Sequence, residues 1–307
     1  MFRYEKDQQV FDIAGVKVGG QPGEYPTVLI GSIFYDRHKI VSDDSKGVFD
    51  KKQAEGLIKT IEEISEKTGN PFILDIVGNT SEALIRYIDF IASKSECPFL
   101  IDGPSPRVRI PAISHALNTG LRERAIYNSI DYLVTEEELN ELRDLKVQNA
   151  VIMAFSPKKP LAKGRVDALK GFDGQKGLLQ LAQKAGIKNM LIDTAVLDVP
   201  GIGLAALGIH LVKEEFGLPA GCGPSNAITT WKRLSKGEFG PDGFKVCTGG
   251  SGITTQMMGA NFVLFGPIEL AEQAFIAGAM TDAIIAYTTK RLGTRIQAQN
   301  HPLYKIF

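Results

Sequence analysis

Short apolar runs that end on a polar residue alternate with longer segments of helical periodicity, and this rhythm constrains the chain more than any other feature. The runs are 27–35 (TVLIGSIFY), 71–79 (PFILDIVGN), 98–106 (PFLIDGPSP), 125–131 (AIYNSID), 149–157 (NAVIMAFSP) and 189–198 (NMLIDTAVLD). A weaker run near 219–224 and another at 260–267 (ANFVLFGP) complete the series. Most are apolar without interruption, the pattern of strands buried on both faces of a parallel sheet.

The intervening segments carry helix signals. Asp50 caps a helix with Gln53 three residues on, Leu57, Ile58, Ile61 and Ile64 share one face, and Gly69 stops it. A second helix from about Ser81 turns Leu84, Ile85, Ile88 and Ile91 inward, and Pro111 is expected to open the third. Thr135 and Glu138 form a capping box ahead of Leu139, Leu142 and Leu145. Helices are also expected over 174–186, from Gly201 to Glu215, through Trp231, and in a long final segment. Repeated βα units in one α/β chain of 307 residues predict a (β/α)8 TIM barrel, with a doubly wound open sheet as runner-up. The chain reads as a single barrel domain over 1–307. Two alternating runs around Ala14-Gly15 predict a short N-terminal hairpin, within an extension (1–26) expected to cover the barrel bottom.

Composition narrows the function. Thirty-five basic residues balance thirty-five acidic ones, so there is no field to attract nucleic-acid phosphates. The N-terminus lacks an apolar secretory core, and the stretch from Ile268 to Tyr287 is broken by Glu269, Glu272 and Asp282, so no membrane span is expected. Cys97, Cys222 and Cys247 are widely spaced, which fits reduced thiols in a cytoplasmic protein and no metal cluster.

In a barrel of this kind the active site lies at the C-terminal ends of the strands, so the polar residues that end each run are the candidates. They are Asp75 and Asn79, Asp102, Asn128, Asp193, and Asn226 in GCGPSN. Three carboxylates and several amides around one cavity suit a heterocycle with an exocyclic amine beside a ring N–H, since a carboxylate accepts both bonds side by side. A pterin has that edge. Each residue also has a structural reading: a strand-end Asp can cap the next helix, and Ser225-Asn226 can be an N-cap. Gly201-Ile-Gly203 superficially matches a dinucleotide fingerprint but lacks the acidic residue about twenty positions on. The basic segment 157–174 is expected to be a charged loop, either merely solvated or facing an anionic tail, a phosphate or an acidic partner. CTGGSGITTQ (247–256) is expected to be a turn or anion nest. Leu204, Leu207 and Leu211, with Phe275, Ile276, Ala279 and Ile284, read most simply as core, with a homodimer seam as the alternative.

The set LIDGPSP, IYNSI, LIDTAVLD and GCGPSN, in this order, resembles the pterin-dependent methyltransferases over nearly the whole chain. Within them it is most similar to the H subunit of tetrahydromethanopterin S-methyltransferase and its bacterial relatives that exchange methyl groups between corrinoid proteins and tetrahydrofolate, the branch serving glycine betaine demethylation included. The resemblance implies that Asp102, Asn128 and Asp193 hold the pterin ring, with Asp75 a less secure match, and that Asn226 lies near the pterin N5. It also implies tetrahydrofolate or tetrahydromethanopterin as co-substrate, a homodimer, and transfer of a methyl group to or from a corrinoid. No DxHxxG corrinoid signature occurs, so the corrinoid is expected on a partner protein. The alternatives are a condensing enzyme like dihydropteroate synthase, which would place a lysine where Asn226 stands, a metal-dependent hydrolase using Asp75, Asp102 and Asp193, and a non-catalytic pterin-binding subunit.

Overall fold

The computed structural model describes residues 2–306. An antiparallel hairpin of β1 (Val10–Ile13) and β2 (Val16–Gly19) comes first, closed by Ala14 and Gly15 at φ 47° and 88°. Two consecutive positive φ values match the right-handed twist of a two-residue turn, which is why Gly15 sits there. β3 (Val28–Ile33) is followed by a small hairpin of β4 (Val41–Asp43) and β5 (Val48–Phe49), which the sequence pattern did not signal. The barrel then runs α1 (Lys51–Thr68), β6 (Phe72–Val77), α2 (Ser81–Lys94), β7 (Phe99–Asp102), α3 (Pro106–Asn118), β8 (Ala125–Ile130), α4 (Glu136–Asp144) and β9 (Asn149–Met153). It continues with α5 (Ala162–Lys170), α6 (Leu178–Lys184), β10 (Asn189–Asp193), α7 (Gly201–Phe216), β11 (Ala220–Cys222), α8 (Pro224–Ile228), α9 (Lys232–Ser235), α10 (Gly243–Met257), β12 (Phe262–Pro267) and α11 (Ala271–Arg291).

β3, β6, β7, β8, β9, β10, β11 and β12 form a closed parallel barrel, shut where β12 pairs with β3 in the register Phe262↔Val28. The (β/α)8 expectation therefore stands, and the open sheet does not. No helix among the described residues is long and apolar enough to cross a membrane.

One interior layer explains where the site lies. Ile30, Ile73, Leu100, Ile126, Val151 and Leu191 form an apolar cluster with Val28 and Phe262, and Ile13 and Val18 of the N-terminal hairpin pack into it. Side chains two positions apart on a strand share a face. The next inward positions, toward the strand C-termini, are thus Ser32, Asp75, Asp102, Asn128, Met153 and Asp193. An apolar floor carries a polar ring one step above it.

Several local expectations are corrected. Pro111 does not open α3. Pro106 does, after Ser105, and Pro111 lies inside the helix. A proline leaves the carbonyl four residues earlier without its N–H partner, and here the Ser81 hydroxyl donates to that oxygen, of Arg107, at 3.2 Å. Residues 247–256 are helical within α10, not a turn or nest. The helix packs along α11, where a Cβ on Gly249 would meet Ala277 in ordinary contact at 3.4 Å, while Gly250 and Gly252 face open space. The segment 157–174 contains α5, while the helix expected over 174–186 shortens to α6. Leu204, Leu207, Ile276 and Ile284 are exposed, whereas Phe275 and Ala279 are buried, so the all-core reading of those faces fails in part.

Candidate functional site

The polar ring brings together four of the six sequence candidates. Asp75 on β6 is 3% exposed; its Oδ2 accepts the Ser32 hydroxyl at 2.6 Å, and its Oδ1 has no partner among the described residues. Burial pushes its carboxyl up to about 6, opposed by the Ser32 hydroxyl and by the nearby Asn128 amide. Asp193, at the end of β10, is likewise pushed up to about 6 by burial, opposed by the Ala195 N–H (2.8 Å to Oδ1) and by Arg165. Asp102, at the end of β7, is raised well above the ordinary range, first by burial and then by the charge of Asp75, with Asp193 adding to it and Arg109 opposing. The fields of the three carboxylates therefore overlap at one place. Asn128 pairs with Asp102 in the strand register and reaches Asp75.

Like charges crowded into a dry pocket are unfavourable unless something offsets them. Two buried arginines, which sequence reasoning did not single out, do this. Arg109 of α3 donates to the Gly103 carbonyl (2.8 Å), the Ser129 carbonyl (3.3 Å) and Glu138 (3.4 Å), and lies 5.0 Å over the Tyr127 ring. Tyr127 in turn donates to Glu138 at 2.6 Å. Arg109 thus joins the loops that follow Asp102 and Asn128. Arg165 of α5 donates to the carbonyls of Thr194 (3.0 Å), Ala195 (3.2 Å) and Pro160, fixing the loop after Asp193. No signal separates these arginines from Arg107 or Lys163, because several of their partners, Ser129, Glu138, Thr194 and Ala195, belong to other units. Ser32, by contrast, had a signal: it follows Ile30 by two, as Asp75 follows Ile73.

Asn79 does not join the ring. It is exposed and donates to Asp44 at 2.8 Å, tying the loop after β6 to the β4–β5 turn. Asn226 lies inside α8, just beyond β11. Gly223 is the N-cap of that helix, so the capping alternative for Asn226 does not hold. Its side chain is exposed and makes no hydrogen bond among the described residues, while neighbouring Ser225 anchors α8 by donating to the Phe265 carbonyl at 2.6 Å. An anchored helix that presents a free amide at the barrel mouth can offer it to a ligand.

Among the described residues, no three His, Cys, Asp or Glu side chains are arranged to hold a metal ion, so the hydrolase alternative lacks its ligand set. What the ring offers is carboxylate acceptors aimed inward beside an amide, which matches a flat heterocycle with adjacent N–H donors.

Residues 6–297 match the family model described as the tetrahydromethanopterin S-methyltransferase MtrH subunit. The H subunit of tetrahydromethanopterin S-methyltransferase from Methanothermobacter thermautotrophicus is 43% identical over 312 residues, and that of Methanococcus vannielii 44% over 319, with 100% of each chain covered in both cases. Among solved structures, a dihydropteroate synthase of Yersinia pestis in complex with a pterine-sulfa conjugate superposes with a TM-score of 0.63 at 14% identity, covering 91% of this chain and 100% of that one. The Xanthomonas albilineans dihydropteroate synthase with 4-aminobenzoic acid gives 0.62 at 16%, covering 92% and 99%. At such identities the likeness is one of fold.

Proposed function

Because the chain belongs to the MtrH subunit family of tetrahydromethanopterin S-methyltransferase, we propose that it transfers a methyl group between N5 of a tetrahydropterin and the cobalt of a corrinoid held by a partner protein. The observation that carries this reading is the convergence of the buried Asp75 and Asp193 with the half-buried Asp102 and Asn128 on one inward face.

In this reading Asp102 and Asp193 accept the pterin's amino and ring N–H groups, Asn128 pairs with the adjacent ring edge, and Asp75, braced by Ser32, supports Asn128 from behind. Held this way the ring is fixed in position, and positioning contributes much of the rate of such a transfer. The partner's corrinoid supplies the second methyl-holding centre. The nitrogen of a tertiary amine is a poor leaving group unless it is protonated, so N5 takes a proton from solvent as the methyl group departs, and a hydrogen bond to N5 assists. The free Asn226 amide is the group proposed to donate it, and in the opposite direction to support N5 as its charge changes.

The histidines have other occupations, which supports placing the corrinoid on a partner. His38 accepts the Phe34 N–H at 3.0 Å and faces Glu269 at 2.8 Å, His115 faces Asp89 at 2.6 Å, and His301 caps Leu303 at 3.1 Å. His210 packs beside Tyr4, ring centres 5.4 Å apart. The relatives are named as subunits, which also fits a partner. Family membership, with Asn226 in place of the condensing enzymes' lysine, favours methyl transfer over condensation. The relatives' names favour tetrahydromethanopterin over tetrahydrofolate as co-substrate. Exposed Ile276, Met280, Ile284 and Tyr287 recur at helical spacing along α11, with Leu204 and Leu207 exposed on α7, which supports a homodimer seam there.

An anaerobic assay following methylcobalamin absorbance with each tetrahydropterin tests the proposal. Asn226→Ala is expected to slow the chemical step by roughly 100-fold to 1,000-fold, the usual loss for a donor at a developing charge, while pterin affinity stays nearly constant. An unchanged single-turnover rate would remove Asn226 from the mechanism, and no transfer by the parent protein with any tetrahydropterin would leave only a binding subunit.

A further inference from the structure

We propose that a groove between the segments following β8 and β9 seats the anionic arm of the tetrahydropterin substrate. This rests on the pterin reading above and extends it to the part of the substrate beyond the ring.

The basic segment 157–174 is mostly consumed by the fold. Lys159 pairs with Asp167 at 2.9 Å and lies 4.7 Å over the Phe172 ring, Arg165 is buried on backbone carbonyls, and Lys170 pairs with Glu215 at 2.5 Å. Lys158 makes no ion pair among the described residues, and neither does Lys176. Both line one groove of about 410 Å3, together with Tyr132 and Phe172. That volume has room for an aryl group and a short charged tail.

Two carboxylates share the lining, and both are engaged. Glu136 pairs with Lys184 at 2.5 Å, and Asp131 accepts the Leu133 N–H at 2.7 Å. Asp131 keeps its charge and Lys176 lies in the field of Glu136, so the lining sets two lysines free of ion pairs against one carboxylate without a cation partner. Chain connectivity places the groove at the correct end of the barrel: Asp131 and Tyr132 directly follow β8, which carries Asn128, and Ser156 to Lys158 follow β9. Tyr132 packs edge-on against Phe155 with ring centres 6.4 Å apart, linking the two segments. Carboxylates from the polar ring face the electron-poor pterin edge, while aromatic rings and ammonium groups face the arm. This sorting orients the substrate.

The ligand chemistry is an arm bearing aryl and anionic groups, either glutamyl carboxylates or a phosphate-containing tail. Anaerobic calorimetry on the full chain would compare 6-methyltetrahydropterin, which has no arm, with tetrahydrofolate, its triglutamate, and tetrahydromethanopterin. The double variant Lys158→Ala/Lys176→Ala is expected to weaken the armed ligands by roughly fivefold to twentyfold, the yield of two exposed charge contacts, and to leave the armless one unchanged. Added salt should reproduce much of that loss in the parent protein. A larger loss for the triglutamate identifies carboxylates, and a larger loss for tetrahydromethanopterin identifies phosphate. Equal affinities of variant and parent for every armed ligand would overturn the groove assignment while the ring site stands. Failure of all four ligands to bind the parent protein would overturn both.

Discussion

Asp102→Asn is expected to weaken pterin binding by roughly 30-fold to 1,000-fold and, in the same protein, to raise the stability of the ligand-free fold at pH 8. The first effect follows from replacing a two-site acceptor by a group with one acceptor and one donor, which forfeits charge-assisted bonds of about 2–4 kcal/mol in all. The second follows from crowding. Asp102, itself half-buried, feels the charges of the buried Asp75 and Asp193, and its carboxyl is raised well above the ordinary range by desolvation and by those neighbours. A carboxyl whose folded value exceeds its unfolded one contributes full stability below the unfolded value and loses it as pH rises through the folded one. For Asp75 and Asp193 that window runs from 3.8 to about 6. At pH 8 Asp75 and Asp193 are ionised at a cost to the empty fold, and a neutral amide at position 102 removes the group whose own ionisation their charges oppose.

The stability gap between variant and parent should therefore shrink as pH falls from 8 to 5, where the parent's carboxylates take up protons. Pterin affinity of the parent should decline over the same range, since the protonated ring loses acceptors. Urea titrations at several pH values and calorimetry with a tetrahydropterin measure the two quantities. A variant that is less stable at pH 8 and still binds normally would show Asp102 to be a brace for its loop.

Asp282→Ala is expected to destabilise the protein by about 3–5 kcal/mol without any direct effect on the polar ring. Asp282 on α11 is 5% exposed and sits at the opposite end of the barrel. It accepts the Thr27 N–H and hydroxyl, each at 2.8 Å, the Asn70 amide at 2.6 Å and the Gln256 amide at 3.3 Å. One carboxylate thereby ties α11 to the starts of β3 and β6 and to α10. Alanine would leave the buried Thr27 N–H without an acceptor and strip one bond each from the Thr27 hydroxyl and the Asn70 and Gln256 amides, which keep a carbonyl partner, and the cost of an unmade bond exceeds the net gain of a made one. Chemical denaturation reads the loss directly. A cost under 1 kcal/mol would mean that water replaces the carboxylate there.

Much of this could be read from the chain. The (β/α)8 architecture, the N-terminal hairpin, the Asp50 and Thr135 caps and four of the six candidate residues followed from patterns within about ten residues. Capping and strand alternation are local interactions, so their signals are local. Errors arose where a distant partner changed the outcome. Pro111 is tolerated mid-helix because Ser81 satisfies the carbonyl it frees, and the glycine-rich 247–256 segment is helical where it packs along α11. Asn79 ended its apolar run in the sequence, yet it lies two residues beyond β6, where Asp44, thirty-five residues earlier, holds it outside the ring.

The repeating alternation of buried strand and amphipathic helix was sufficient to specify the barrel, because a strand apolar on both faces can be satisfied only between a filled interior and a covering helix layer. The same alternation set which residue on each strand lies one step above the apolar floor. Tertiary structure alone decided which of those polar groups feel one another and what makes their crowding tolerable. The carboxylates interact only once closure brings the ends of β6, β7 and β10 around one axis. Arg109 and Arg165 offset them by gripping carbonyls of loops that are neighbours only in space.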